Sequence, residues 1–214
     1  KDVEINYEPV DILYENTFLI VAFKPPFLLV HDDGNNQDTL QARVNGYLQL
    51  NQNKYPAQAI HRIDYETSGL VLFCKHPFFQ AYCDKNMEEH HIKKEYIALV
   101  QGHTNYKNKK IISNIARDRH NAKKMIIHPN GKESVSIFNT LKNYKDYSLI
   151  QVTILTGRKH QIRVQCASLK HPILNDSLYG GKKIDNTGLL LQSHHIQFND
   201  VDITCPQEKR FIRK

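Results

Sequence analysis

Tryptophan is absent from the 214 residues, methionine occurs twice, and glycine and proline fill only nine and eight positions. So little glycine and proline excludes collagen-like repeats and low-complexity, proline- or glycine-rich chain. Long apolar runs are missing as well. The longest uncharged one, Phe18 to Phe23, has six residues, against the roughly 20 that a helix needs to cross a bilayer. The opening Lys-Asp-Val-Glu lacks a basic and then apolar leader, so no signal peptide is expected. Cysteine is sparse: Cys74, Cys83, Cys166 and Cys205 show no Cys-x-x-Cys spacing. A disulfide scaffold is thereby excluded, and the four read as reduced thiols of a cytoplasmic protein. A nucleotide-binding glycine fingerprint is also lacking. His90-His91 and His194-His195 are adjacent pairs whose side chains point apart on a helix or a strand, so neither offers a ready metal site.

What is present is an ordinary soluble composition, 40% hydrophobic and 24% charged, with enough chain to bury a core without staples. Lysine and arginine exceed aspartate and glutamate by 29 − 22 = 7, and twelve histidines add positive charge below neutral pH. A polyanion is therefore the first partner to consider. With no repeat and no flexible linker, residues 1–214 are expected to form a single domain.

Strand-like runs dominate: Asp11 to Tyr14, Phe18 to Phe23, Leu28 to His31, Leu70 to Cys74, Tyr96 to Gln101, Ser134 to Leu141, Ser148 to Leu155 and Leu189 to Phe198. Three helices are predicted. One follows Asp38 as N-cap and carries Leu40, Val44 and Leu48; one begins near Pro77 and runs to about His90; one follows Thr156-Gly157 with Ile162, Cys166 and Leu169 on its apolar face. Many strands and few helices, without regular alternation, predict an α+β fold on a large, mainly antiparallel mixed sheet. Lys107 to Lys110, within the basic and polar Asn105 to Lys110, reads as an exposed loop tip, and residues 1–10 as an extended arm.

Three segments concentrate groups that can do chemistry. His61 to Gly69 is a polar loop between the apolar Ala57 to Ile60 and a strand. Such a loop displays reactive groups, or is a solvated turn in which Asp64 caps an amide and Gly69 supplies a positive φ. Thr156 to Arg163 sits at a strand-to-helix junction with three cations within six residues. It reads as a phosphate site, or as a charged solvent face on which Lys159 and Arg163 lie together. Lys93 to Val100 is a strand entered through two lysines, where Tyr96 is either a half-buried core ring or a stacking platform.

Taken in order along the chain, these segments resemble the RluA-type RNA pseudouridine synthases. His61 to Gly69 matches the family pattern H-R-[LI]-D-x-x-T-S-G at every specified position. Lys94, Tyr96, Ala98, Val100 and Gly102 match K-x-Y-x-A-x-V-x-G, and Gly157 to Arg163 match G-R-[TS]-H-Q-[IL]-R except at Lys159. His171 to Gly181 is similar to H-P-I-x-G-D-x-x-Y-G, with Asn175 in place of glycine. Asn16 to His31, with its Lys24-Pro25 turn, is similar to the family's opening strands, although Phe23 stands where asparagine is usual. Leu190 to Phe198 resembles the closing strand. Gln165 replaces a histidine, and the small N-terminal RNA-binding domain of many members has no counterpart here.

The resemblance implies a pseudouridine synthase catalytic domain that detaches uracil from ribose at nitrogen 1 and rejoins it at carbon 5, with no cofactor and no metal. Asp64 is then the essential carboxylate, Arg163 the fixed cation that keeps it ionised, and Tyr96 the ring against the uracil. Arg62 is the wedge that enters the RNA where the uridine leaves its stack. His61, Lys94, Arg158, Lys159, His160 and Gln161 complete the expected RNA-binding set, with Lys93 as a further phosphate contact. The expected partner is a stem-loop of ribosomal or transfer RNA, with no membrane, and a monomer is expected. A catalytically inactive RNA-binding relative is the alternative, although such a protein has no use for a carboxylate amid phosphates. A metal-dependent nuclease needs at least two convergent carboxylates, and Asp64 and Glu66 are the only acids in their motif.

Overall fold

A computed structural model describes residues 3–35 and 38–212. Two compact units emerge, Lys1–Ile92 with Ser193–Cys205, and Lys93–Gln192 with Pro206–Lys214. The boundary at Ile92 has no linker, so composition gave no sign of it.

The first unit contains β1 (Asp11–Glu15), β2 (Leu19–Lys24), α1 (Leu40–Leu50), β3 (Gln58–Ala59), β4 (Ser68–Cys74) and α2 (Pro77–Glu88). β2 pairs antiparallel with both β1 and β4, and β3 adds to β4. Every residue of β4 is buried, as are all of β2 except Phe23. Both strands therefore read as continuous apolar runs, while the edge strand β1 alternates. Leu28 to His31 is not a strand. Pro25 and Pro26 lack the N–H groups that a ladder needs, and the segment makes only one isolated bridge, Leu29 to Thr39, before feeding the helix. The N-cap of α1 is Thr39, whose Oγ1 accepts the Ala42 N–H at 3.0 Å; Asp38, one residue earlier, pairs with Arg43 instead. Lys1 and Asp2 of the predicted arm lie outside the described residues. Its remainder forms neither helix nor strand, and the Asn6 N–H donates to the Ala42 carbonyl. It crosses α1 at Gly46, where a Cβ would overlap the Asn6 carbonyl.

The second unit holds β5 (Lys93–Gln101), β6 (Lys109–Arg117), β7 (Met125–Ile127), β8 (Lys132–Asn143), β9 (Tyr147–Ile154) and α3 (Gln161–Ser168). Its strands pair antiparallel in the order β5-β9-β8-β6-β7. Lys109 and Lys110, assigned by sequence to a loop tip, open β6. α3 starts later than the sequence suggests, because His160 is left-handed at φ 55°. Lys159 is therefore outside the helix and shares no face with Arg163. Gln165, on α3, accepts from the Ser136 hydroxyl at 2.8 Å and donates to Ser113 Oγ at 3.1 Å.

The chain then returns to the first unit. β10 (Leu191–Phe198) and β11 (Val201–Thr204) form a hairpin, and Ser193 Oγ donates to the Leu70 carbonyl at 2.9 Å. Gly69, at φ +113°, passes so close to Ser193 that a Cβ would overlap its backbone. Gly69→Ala is expected to lose about 3 kcal/mol or more, from the unfavourable φ and the overlap together. Gly34→Ala, with φ +101° but nothing within 4 Å of the added carbon, should lose about 1 kcal/mol. Urea unfolding of the two variants checks the contrast, and equal losses would show that the Ser193 contact relaxes freely.

Candidate active site

In the first unit the His61–Gly69 loop is held at both ends and in the middle. The Ile60 N–H donates to the Leu72 carbonyl, and the Leu72 N–H returns a bond to His61 Nε2 at 3.1 Å. That bond fixes Nε2 as the unprotonated ring nitrogen. A turn follows in which the Thr67 N–H donates to the Asp64 carbonyl at 3.0 Å. At its crest the Tyr65 carbonyl accepts from the Phe27 N–H at 2.8 Å and from Lys24 Nζ at 3.0 Å. Lys24 is fully buried, and its ammonium also donates to the carbonyls of Pro25 at 2.8 Å and Leu28 at 2.7 Å. Three donors thus meet three acceptors, the condition for tolerating a buried ammonium. Ile63, Thr67 and Ser68 are buried, Asp64 is half-buried, and Arg62 and Tyr65 are exposed.

In the second unit Arg163 is buried on α3. Its Nε and Nη2 donate to Asp176 Oδ2 and Oδ1 at 2.8 and 2.9 Å, a bidentate pair with a carboxylate that is only 1% exposed. The guanidinium lies 5.0 Å from the Tyr179 ring centroid. The Tyr179 hydroxyl accepts the Met125 N–H at 2.8 Å and bonds His160 Nδ1 at 2.8 Å. Gln161 is spent on scaffolding. Its Oε1 accepts from Thr156 Oγ1 and the Arg158 N–H, and its Nε2 donates to the Val135 carbonyl and Ser136 Oγ. Tyr96 is buried on β5, and so is Lys94, whose ammonium is pushed down to about 8 by burial.

Asp64 belongs to the first unit, Tyr96 and Arg163 to the second. Of the expected RNA-binding residues, Arg62 and Lys159 are exposed, whereas Arg158 is half-buried with its Nε donating to the Glu133 carbonyl at 3.0 Å. Lys93 is paired with Glu95 at 2.9 Å. His61, Lys94 and Gln161 are buried, so they offer no charge at the surface. Half-buried His160 is held by Tyr179. Residue-by-residue reading missed the roles of Lys24, Asp176 and Tyr179. Their signals were present, a lysine ahead of two prolines and a carboxylate 13 positions after Arg163, but nothing in composition marked them as buried.

A family model described as RNA pseudouridylate synthase matches residues 18–168. The chain belongs to that family. An uncharacterised RNA pseudouridine synthase of Bacillus subtilis (strain 168) is 35% identical over 82% of this chain and 59% of its own length. The ribosomal large subunit pseudouridine synthase D of Borreliella burgdorferi is 31% identical over 95% of this chain and 64% of its own. The chain thus spans about three-fifths of the length of these curated relatives. Among solved structures, human RNA pseudouridylate synthase domain containing 1 superposes with a TM-score of 0.80 at 23% identity, covering 94% of this chain and 85% of that one. The human domain containing 4 gives 0.77 at 20% identity, over 94% and 90%. The fold is therefore the pseudouridine synthase fold. In this pseudouridylate synthase family member, Asp64, Tyr96 and Arg163 lie inside the matched stretch, and Asp176 and Tyr179 lie beyond it.

Asp176→Asn leaves the Arg163 guanidinium buried with a neutral partner and should cost about 3–5 kcal/mol in urea unfolding; a loss below about 1 kcal/mol would show that other contacts suffice. Lys94 gives a pH signature. Its pKa falls from 10.5 in the unfolded chain to about 8 in the folded one. Between those values the unfolded state binds the extra proton, so wild-type stability climbs with pH relative to Lys94→Met, by about 3 kcal/mol across the window. Unfolding both proteins at about pH 7 and about pH 10 measures the change. A constant difference would mean that the folded ammonium keeps its proton.

Proposed function

We propose that this protein is an RNA pseudouridine synthase acting on uridines of ribosomal or transfer RNA. The observation that carries the reading is the His61–Gly69 loop, which matches the family pattern at every specified position and has its crest anchored on buried Lys24. Such a loop holds Asp64 at fixed geometry, which a displacement at a sugar or a ring carbon requires. The isomerisation breaks the ribose bond to nitrogen 1, forms one to carbon 5, and exchanges the carbon 5 proton for one on nitrogen 1. Atoms and electrons balance without hydride, metal or nucleotide, in keeping with a reaction that needs no cofactor.

In this reading Asp64 is the nucleophile on the uridine or the base on its sugar. Arg163 supplies the permanent cation that favours an ionised carboxylate, and its rigid hold on Asp176 limits its freedom. Tyr96 gives the uracil an apolar face. Exposed Arg62 fills the space that the uridine vacates, offsetting part of the few kcal/mol that extrusion costs. Lys159 and Arg158 contribute phosphate contacts, and the +7 net charge favours association with the polyanion. The protein acts as a cytoplasmic monomer.

Asp64→Asn removes the carboxylate charge with little change of shape, so tritium release from 5-tritiated uridine should vanish while RNA affinity stays within about tenfold. Separate ribosomal and transfer RNA transcripts identify the substrate class. Normal release by the variant would remove Asp64 from the chemistry and overturn the reading.

A further inference from the structure

Phe27 is the one apolar side chain among the described non-glycine residues that have positive φ. At φ 63° a bulky L-residue is strained, and such strain persists only where the surroundings impose it. Here they do. The Phe27 N–H donates to the Tyr65 carbonyl at 2.8 Å, and that carbonyl also accepts from Lys24 Nζ. Glycine would satisfy this turn at no steric cost, so the benzyl group contributes nothing to the turn itself. Nor does it fill the core. Phe27 is 46% exposed and Tyr65 is 47% exposed, with their rings edge-to-face, centroids 5.9 Å apart and planes at 70°. The backbones that carry two surface rings, one of them directly following Asp64 in the chain, are thus held together at the Tyr65 carbonyl, to which the Phe27 N–H and the Lys24 ammonium both donate. Tyr65 also fills one of the two positions that the family pattern leaves unspecified.

We propose that Phe27 and Tyr65 form a stacking step on which a nucleobase of the RNA rests beside the target uridine. The inference rests on the reading of the protein as an RNA pseudouridine synthase and assigns it a base-binding subsite. Aromatic faces accept any base. An edge-to-face pair leaves the faces of the ring that presents its edge uncovered by its partner. The loop also carries its own cation. Exposed Arg62 lies close enough that, after burial, its charge is the next cause holding the His31 imidazole below its usual range. An exposed ring and a permanent cation on one loop are the combination by which single-stranded nucleic acid is held. Because the backbones of the pair are pinned in advance, little backbone freedom is lost on binding.

The test uses single-stranded oligouridine dodecamers labelled with fluorescein, and a parallel series carrying one 2-aminopurine at successive positions. Wild type should quench 2-aminopurine at one position. Phe27→Gly and Tyr65→Ala should lose that quenching and raise Kd about tenfold, while Tyr65→Phe keeps both. The melting temperature of Phe27→Gly should equal or exceed that of wild type, since glycine relieves the positive φ; this separates lost stacking from lost fold. Unchanged Kd and quenching in Phe27→Gly and Tyr65→Ala, with wild type binding RNA and releasing tritium, would overturn the stacking step alone and leave the rings as a protein-docking surface. A wild type that binds no RNA would overturn the function and the step together.

Discussion

The burial of one ammonium group organises the first unit. Lys24 ends a strand whose other residues are almost all hydrocarbon, and its charge has no water to turn to. Leaving it unsatisfied would cost several kcal/mol, so the backbone must bring carbonyls to it. Those carbonyls belong to Pro25, Leu28 and Tyr65, two on the following turn and one on the loop that bears Asp64. The proline pair, the left-handed Phe27 and the loop crest are therefore consequences of a single electrostatic requirement. The arrangement also explains how a polar loop keeps one conformation without packing its own side chains. Its rigidity is borrowed from the strand beneath.

The second unit solves a similar problem with an ion pair. Arg163 and Asp176 are both withdrawn from solvent, and each meets the other through two parallel bonds. Tyr179 lies against the guanidinium and, through its hydroxyl, ties β7 and the residue before α3 to the same cluster. Such a group adds little net stability compared with hydrocarbon. What it adds is position, because the fork of the guanidinium has one edge committed and its plane fixed.

Most long elements were legible in the sequence because their residues carry a period or a composition that few alternatives share; the nine-residue β6 was not, since it opens on two lysines and mixes polar with apolar residues. β2 and β4 are unbroken apolar runs, α1 has its apolar spacing and α2 its first-turn proline in plain view, whereas the cap of α1 was read one residue early. The strands β3, β7 and β11 are too short for any period to register. α3 defeated the amphipathic reading for a different reason. Gln161 to Cys166 are all buried, so its polar residues point into the protein and no solvent face exists to set the phase. The Asp64 loop was legible through its motif. The withdrawal of His61, Lys94 and Gln161 from the surface was not, since a sequence displays charge and hydrogen-bonding capacity but not the neighbours that consume them.

The first unit is assembled from both ends of the chain, and this has a consequence for its birth on the ribosome. The carbonyl of Leu70 waits for a hydroxyl 123 residues later. At about 5–20 residues per second that interval is roughly 6–25 s, long compared with the formation of a hairpin or helix. The second unit can pair most of its strands during the interval, although its core too is completed later, by Phe211. The unit that carries Asp64 cannot be completed, because β4 lacks the strand against which Gly69 is fitted. Synthesis thus leaves the apolar edge of β4 uncovered until β10 has been made, and the frame of the Asp64 loop is completed only late in the growth of the chain.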